Sequence, residues 1–277
     1  MEKKTIQRGA EAHGKVEMTE EGLVVPAITV IVGQACSLKC KHCANFSPFA
    51  PEPTKHYPLE QILDDLKTLF RAVHSIPKIQ VQGGEPFLYK ELPELLDFIR
   101  ASGKATTITV ATNGTIVPNE TVLGSLKKND VRVRISSYPA TPKEKVELLK
   151  EKLQELDIQI WLYEFISDDS MWFDMGGVST PPPAHEQQND LQSRFIKCPF
   201  HDCFTLENGR VSRCGRGVIA PVVQKFTPKE FDLLPVVWAE DFPQKLREYL
   251  ETPAYMEACR YCWGADGQKV PPAQQLK

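Results

Sequence analysis

The stretch Ala27–Cys43, AITVIVGQACSLKCKHC, joins two signals. Its first six residues, Ala27–Val32, are apolar and mostly β-branched, and the run is too short for a helix, so it predicts a buried strand. Its last eight place three thiols, Cys36, Cys40 and Cys43, directly after that strand. Working outward from it, the same order of strand, chemistry-bearing turn and helix recurs along the chain.

Behind Pro58 the apolar residues Ile62, Leu63, Leu66, Leu69, Phe70 and Val73 fall at three-and-four spacing, one face of a helix. Lys78–Gln82 reads as the next strand, Leu92–Ile99 as a helix, Thr106–Ala111 as a strand and Thr121–Leu126 as a short helix. Val131–Ser136 alternates Val, Arg, Val, Arg, Ile, as a strand with two differing faces does. Thr141-Pro142-Lys143-Glu144 carries a capping-box pattern with proline at the first helical position. Val146, Leu149, Leu153 and Leu156 continue that helix, and Ile158–Phe165 is a further strand. Strands alternating with helices imply parallel strands and crossovers, so the fold class is α/β, sheet or barrel. In such folds ligands sit beyond the carboxyl ends of the strands.

Periodicity is lost from Ser167 to Lys197, a loop long enough to be functional or disordered. Asn208-Gly209 between short β-type runs predicts a hairpin over Cys203–Cys214. Phe242–Tyr255 reads as a helix leading into Cys259 and Cys262, and the polar tail from Val270 is expected to fray.

Of 277 residues, 33 are basic and 36 acidic, for a formal charge of −3, with 42% hydrophobic and 25% charged. These values are ordinary for a globular protein and give no sign of a basic nucleic-acid groove or a disordered tail. No run of 18 apolar residues spans a membrane, and Met1–Glu21 lacks the apolar core of a signal peptide. A cytoplasmic location is therefore expected, where the eight cysteines stay reduced and clustered thiols indicate metal. At the first cluster two readings stand on spacing: a zinc site completed by His42 or a distant residue, or a [4Fe–4S] cluster with one iron left open.

Cys36-x3-Cys40-x2-Cys43 after the first strand resembles the signature of the radical S-adenosylmethionine (radical SAM) enzymes. Further family elements follow in order: Gly83-Gly84-Glu85-Pro86 after the second strand, Thr112-Asn113-Gly114 after the third, and Ser136-Ser137 after the fourth. His42 stands where the family usually carries an aromatic. The resemblance implies a partial (β/α)6 TIM-like barrel and a [4Fe–4S] cluster on the three cysteines. It also implies that SAM is held by the glycines, Glu85, Pro86, Asn113, Ser136 and the His42 position. One-electron reduction by a flavodoxin- or ferredoxin-type donor would cleave SAM to a 5′-deoxyadenosyl radical that abstracts hydrogen from substrate.

Cys198, Cys203, Cys214, Cys259 and Cys262 remain. Their spacing around Gly209, with a distant Cys-x2-Cys, resembles the Twitch module, the shortened relative of SPASM. That implies one auxiliary [4Fe–4S] cluster on Cys198, Cys214, Cys259 and Cys262, in a small hairpin-and-helix module. Cys203 is then spare: a buried core residue, a hydrogen-atom donor, or a ligand in place of Cys198. A zinc ribbon from the same thiols stays open. The expected division is a polar segment 1–22, a barrel 23–197, an auxiliary module 198–265 and a tail 266–277.

Candidate substrate contacts are Tyr138, Trp161, Glu164, Trp172, Asp174, His185, Glu186 and Arg194, with Arg213 and Arg216 flanking Cys214 as anion binders or cluster-tuning groups. The compact layout resembles the radical SAM dehydrogenases and epimerases of aminocyclitols and sugars, so a polyhydroxylated small molecule is expected to be dehydrogenated or epimerised. The alternatives are a maturase of a ribosomally made peptide and a non-catalytic iron–sulfur or zinc protein.

Overall fold

A computed structural model of the chain describes residues 14–165, 171–178 and 188–277. A short antiparallel pair, β1 (Glu17–Thr19) and β2 (Gly22–Val24), leads into β3 (Ala27–Ile31), the strand expected before the cysteines. Then follow α1 (Leu59–Ala72), β4 (Lys78–Gln82), α2 (Leu92–Ala101), β5 (Thr107–Thr112), α3 (Glu120–Lys128), β6 (Val131–Ser137), α4 (Lys143–Glu155) and β7 (Ile160–Glu164). The C-terminal part holds β8 (Trp172–Phe173), α5 (Gln188–Lys197), β9 (Thr205–Glu207), β10 (Arg210–Ser212), α6 (Ile219–Gln224), β11 (Leu233–Pro235), α7 (Phe242–Glu251) and β12 (Lys269–Val270).

Strands β3 to β7 pair in parallel, each with the next, and a helix connects every successive pair. One face of this sheet is apolar: Ile28, Val30, Ile79, Val81, Ile108, Val110, Val133, Ile135 and Leu162 are buried against Leu66, Leu69, Leu95, Leu96, Ile99, Leu123, Leu126, Leu149 and Leu153 of the helices. Burying each such side chain contributes about 1.5–3 kcal/mol, so this face anchors the fold. The architecture is α/β, a partial TIM-like barrel.

A sixth barrel unit would be expected to follow β7. The sixth parallel strand instead comes from the hairpin: β9 pairs in parallel with β3 on the opposite edge, and β10 and β11 extend the sheet antiparallel. This covers the β3 edge, which would otherwise present unpaired backbone groups. The hairpin turn forms as the sequence indicates, with Asn208 at φ 49° and Gly209 at φ 72°. Asp65 of α1 accepts from the Gly209 N–H at 2.9 Å and pins it.

Four local expectations need correction. The capping box at Thr141 does not form: Pro142 occupies the cap itself, and the Thr141 hydroxyl donates to the Asn113 carbonyl at 3.1 Å. The aperiodic stretch 167–197 contains β8 and α5; of the α5 side chains whose burial is described, Leu191 and Phe195 are the buried ones, too few to show as a periodic pattern. The helix begun at Phe242 stops at Glu251, before Thr252-Pro253. The tail does not fray: β12 pairs with β8, and residues 273–276 cross the first cysteine loop.

A second, smaller apolar cluster joins the loop after the first cysteines to the C-terminal part. Phe46 and Ala50 pack with Ile219, Ala220, Val223, Met256 and Ala258, with Cys214 and Cys259 against them. Among the described residues no helix is long and apolar enough to cross a membrane.

Candidate active site

The loop after β3 and the turn after β4 interlock through their backbones. Gly84 N–H donates to the Gly33 carbonyl at 2.9 Å and Glu85 N–H to the Ala35 carbonyl at 2.7 Å. A Cβ on Gly84 would overlap the Ala35 carbonyl oxygen, so the second glycine is required by this close approach. Asn45 adds a side-chain bond to the Gly83 carbonyl at 3.2 Å. The result is a cavity of about 160 Å³ at the carboxyl ends of the strands, whose walls include Cys36, Cys40, Cys43, Gly83, Gly84, Asn113 and Ser136. Residues far apart in the sequence are thereby gathered in one place.

Three expected residues stand outside that wall. Glu85 is buried behind it, its carboxylate accepting from Asn113 N–H at 2.8 Å and Phe87 N–H at 3.2 Å. Burial pushes its pKa up to about 7. His42 turns to Asp174, Nδ1 to Oδ1 at 3.2 Å, linking the cysteine loop to the segment after β8. Pro86 opens a short 3₁₀ turn and is buried.

The sulfurs of the first loop receive N–H donors, as metal-bound thiolates commonly do. Leu38 N–H lies 3.4 Å and Asn113 Nδ2 3.6 Å from Cys36 Sγ. Gln275 Nε2 lies 3.3 Å from Cys40 Sγ. The tail holds Gln275 there: Lys41 N–H donates to the Gln274 carbonyl at 2.7 Å, and Leu276 N–H to the Lys39 carbonyl at 2.8 Å.

The remaining cysteines separate into two groups. Cys198, Cys214, Cys259 and Cys262 line one apolar cavity together with Met175, Phe195 and Met256. Burial pushes the Cys214 thiol well up and the Cys259 thiol to about 12. Arg216 N–H and Gly264 N–H approach Cys214 Sγ and Cys262 Sγ at 3.5 and 3.3 Å. All eight cysteines are free thiols. Among the described residues no three His, Cys, Asp or Glu side chains converge as ligands of a single metal ion.

Cys203 lines a different space, which Cys214 also borders. The inner face of the barrel encloses a cavity of about 390 Å³ whose walls include Thr29, Gln80, Gln82, Thr109, Arg134, Trp161, Tyr163, Cys203 and Thr205. Asn45 and Arg134 border both this cavity and the one beside the first cysteines. Burial pushes Cys203 up to about 11, so its sulfur keeps its proton at neutral pH.

Of the candidate substrate contacts, Trp161 lines the barrel cavity, and Tyr138 and Trp172 border the first-cysteine cavity, edge to face at 5.1 Å between ring centres. Glu164 is exposed at the end of β7. Arg194 binds the Cys262 carbonyl at 3.1 Å, beside the second cysteine group. Arg213 lies away from all these cavities, donating to the carbonyls of Tyr249, Thr252 and Phe231. Arg216 borders the barrel cavity and the second cysteine group, and its Nη atoms donate to Met175 and Gly176. His185 and Glu186 lie outside the described residues.

Sequence reasoning did not single out Arg134, Asn45 or Gln275. The Val-Arg-Val-Arg alternation of β6 carried the signal for Arg134, since it faces away from the helix-covered side. Gln275 had none, because its role depends on a contact across 235 positions of the chain.

Residues 30–158 match the radical SAM superfamily model. The chain carries a radical SAM domain. The chain is 27% identical over 99 residues to the GTP 3′,8-cyclase of Chlorobaculum tepidum, covering 36% of this chain and 29% of that protein. To the 7-carboxy-7-deazaguanine synthase of Aquifex aeolicus it is 33% identical over 97 residues, covering 35% and 41%. The chain thus spans less than half the length of each of these curated relatives. A wider likeness in fold is to BtrN crystallised with AdoMet and 2-DOIA, at a TM-score of 0.56 and 15% identity, covering 90% of this chain and 98% of that one. A radical SAM domain implies a [4Fe–4S] cluster and SAM. The donor set fits them: three thiols on one cavity, with N–H groups on two of the sulfurs.

Proposed function

We propose that this chain is a radical SAM epimerase or oxidoreductase of a polyhydroxylated small molecule, with epimerisation the favoured outcome. The observation that carries the choice is the position of Cys203, which lines the barrel cavity and is absent from the walls of the cavity that Cys198, Cys214, Cys259 and Cys262 share; of those four, Cys214 also reaches the barrel cavity. In this reading Cys36, Cys40 and Cys43 hold the SAM-binding cluster, and Gly83, Gly84, Asn113 and Ser136 line the SAM cradle. Glu85 fixes the Asn113 backbone from behind, and Pro86 shapes the turn that carries it. Cys198, Cys214, Cys259 and Cys262 hold an auxiliary [4Fe–4S] cluster of Twitch type. Thiols spread round a cavity suit a multi-iron cluster better than a single tetrahedral zinc.

When bound on Cys36, Cys40 and Cys43, the cluster would supply the electron for reductive cleavage of SAM, taken from a flavodoxin- or ferredoxin-type donor. The chain's own residues do the rest. Thr29, Gln80, Gln82, Thr109 and Thr205 offer hydrogen-bonding groups along the cavity wall for substrate hydroxyls. A hydrogen atom leaves a substrate C–H bond to form 5′-deoxyadenosine, and the Cys203 S–H returns one to the opposite face. The sulfur then regains an electron from the donor chain and a proton from solvent.

The test is turnover in D₂O by the reconstituted wild type and by C203A, with candidate sugars and aminocyclitols. Epimerisation predicts one deuterium in the product of the wild type, and 5′-deoxyadenosine without epimer from C203A, at unchanged iron content. An oxidised product formed equally by both proteins would assign dehydrogenation instead, and loss of about four irons in C203A would make Cys203 a ligand.

A further inference from the structure

We propose that the barrel cavity seats an oxyanionic group of the substrate, a phosphoryl or carboxylate, on the guanidinium of Arg134. The inference deepens the reading of this cavity as the substrate site, and rests on it. Arg134 lies on β6 and borders both the barrel cavity and the cavity beside the first cysteines. Among the described residues its guanidinium makes no hydrogen bond and no ion pair; its Nε is buried without a partner, as are those of Arg213 and Arg216, but its Nη atoms, unlike theirs, donate to no carbonyl. The Tyr163 ring lies 5.5 Å from its guanidinium carbon, and Tyr138 and Cys203 lie near it. Burial pulls its pKa below the ordinary arginine value, the direction a bound anion opposes.

The same protein shows how a structural buried arginine is satisfied. Arg213 gives its Nη atoms to three backbone carbonyls and lies 4.4 Å over the Tyr249 ring. Arg216 gives its own to two carbonyls and lies 4.2 Å over Phe46. Arg134 has no such carbonyls. Nor does a carboxylate compensate it: among the described residues lining the cavity there is no Asp or Glu, whereas Lys78, Arg134 and Arg216 are all cationic. A guanidinium taken out of water without partners is costly, and folding alone gives no reason to keep one. A planar fork open to a cavity is matched by an oxyanion, which accepts two parallel N–H bonds from it. The volume, about 390 Å³, falls in the range of small-molecule sites.

The test uses the reconstituted, SAM-loaded protein and inorganic phosphate as the probe, against sodium chloride at equal ionic strength. Phosphate is expected to raise the wild-type Tm by linkage, with binding about tenfold or more weaker in R134Q and R134M, and partly kept in R134K. Sodium acetate run in parallel tells a carboxylate site from a phosphoryl site. A wild-type Tm indifferent to both anions overturns the proposal, as does an equal response in whichever of R134Q and R134M folds. Formation of 5′-deoxyadenosine is measured on the same preparation. Its absence counts against the radical SAM reading, while the anion response decides the Arg134 site separately.

Discussion

Single residues carry the sharpest commitments. Gly84 passes so close to the Ala35 carbonyl that G84A must push the cysteine loop away from the β4 turn. Overpacking of this kind costs about 1–3 kcal/mol, and here the displaced segment bears Cys36. The expected outcome is a lower denaturant midpoint together with reduced iron after reconstitution; full iron loading in G84A would show that the interlock does not position the thiols. Glu207 gives a pH prediction. Its Oε1 accepts from Gln34 Nε2 at 2.8 Å and Tyr57 hydroxyl at 2.9 Å, its Oε2 is buried without a partner, and burial pushes its pKa up to about 7. A raised carboxylate pKa means the folded state binds the proton more tightly. Its stabilising contribution is therefore complete below about pH 4.5 and is lost as pH rises through about 7. The full swing is on the order of 3 kcal/mol. Denaturant melts of E207Q between pH 5 and 8 should lose this part of the slope and exceed the wild type at pH 8, and parallel profiles for the two proteins would refute the assignment.

At the scale of elements, the C-terminal tail is the piece whose role is least obvious from its composition. It reads as polar and proline-containing, yet Ala273 is fully buried and Gln275 bridges to Cys40. Removing residues 271–277 strips two backbone bonds and the Gln275 side chain from the first cysteine loop. The truncated protein should lose cluster iron several-fold faster in air, because burial and hydrogen bonding around the sulfurs are weakened together; equal loss rates would leave the tail a bystander. The elements legible in the sequence were those with strong local patterns. Strands β3 to β7 and helices α1 to α4 declared themselves through period-two and period-3.6 apolar spacing, and the hairpin through Asn208-Gly209. What escaped were features made by distant partners: β9 choosing the β3 edge, Pro142 taking the cap while Thr141 turned to Asn113, and the tail crossing Cys40.

For the molecule as a whole, the fold brings the cysteines into two cavities and leaves the eighth between them, on the wall of the barrel. The three thiols of the first cavity were readable from their short spacing, whereas the four of the second, spread over Cys198–Cys262, were legible only through the resemblance to the Twitch module. The polar lumen was half readable: the arginine alternation of β6 showed a face unlike the helix-covered one, but only the folded sheet shows that no carboxylate among the described residues lines the cavity with Arg134. The proposed pair of [4Fe–4S] clusters would give about eight irons per chain, falling to about four when Cys259 and Cys262 are both replaced by alanine. The central claim is that Cys36, Cys40 and Cys43 support reductive cleavage of SAM. Its direct measurement is 5′-deoxyadenosine released by the anaerobically reconstituted protein with SAM and dithionite, beside the triple alanine variant of those three cysteines. Release by the wild type and none from the variant is the predicted result; no 5′-deoxyadenosine from a wild type carrying its full iron would contradict it.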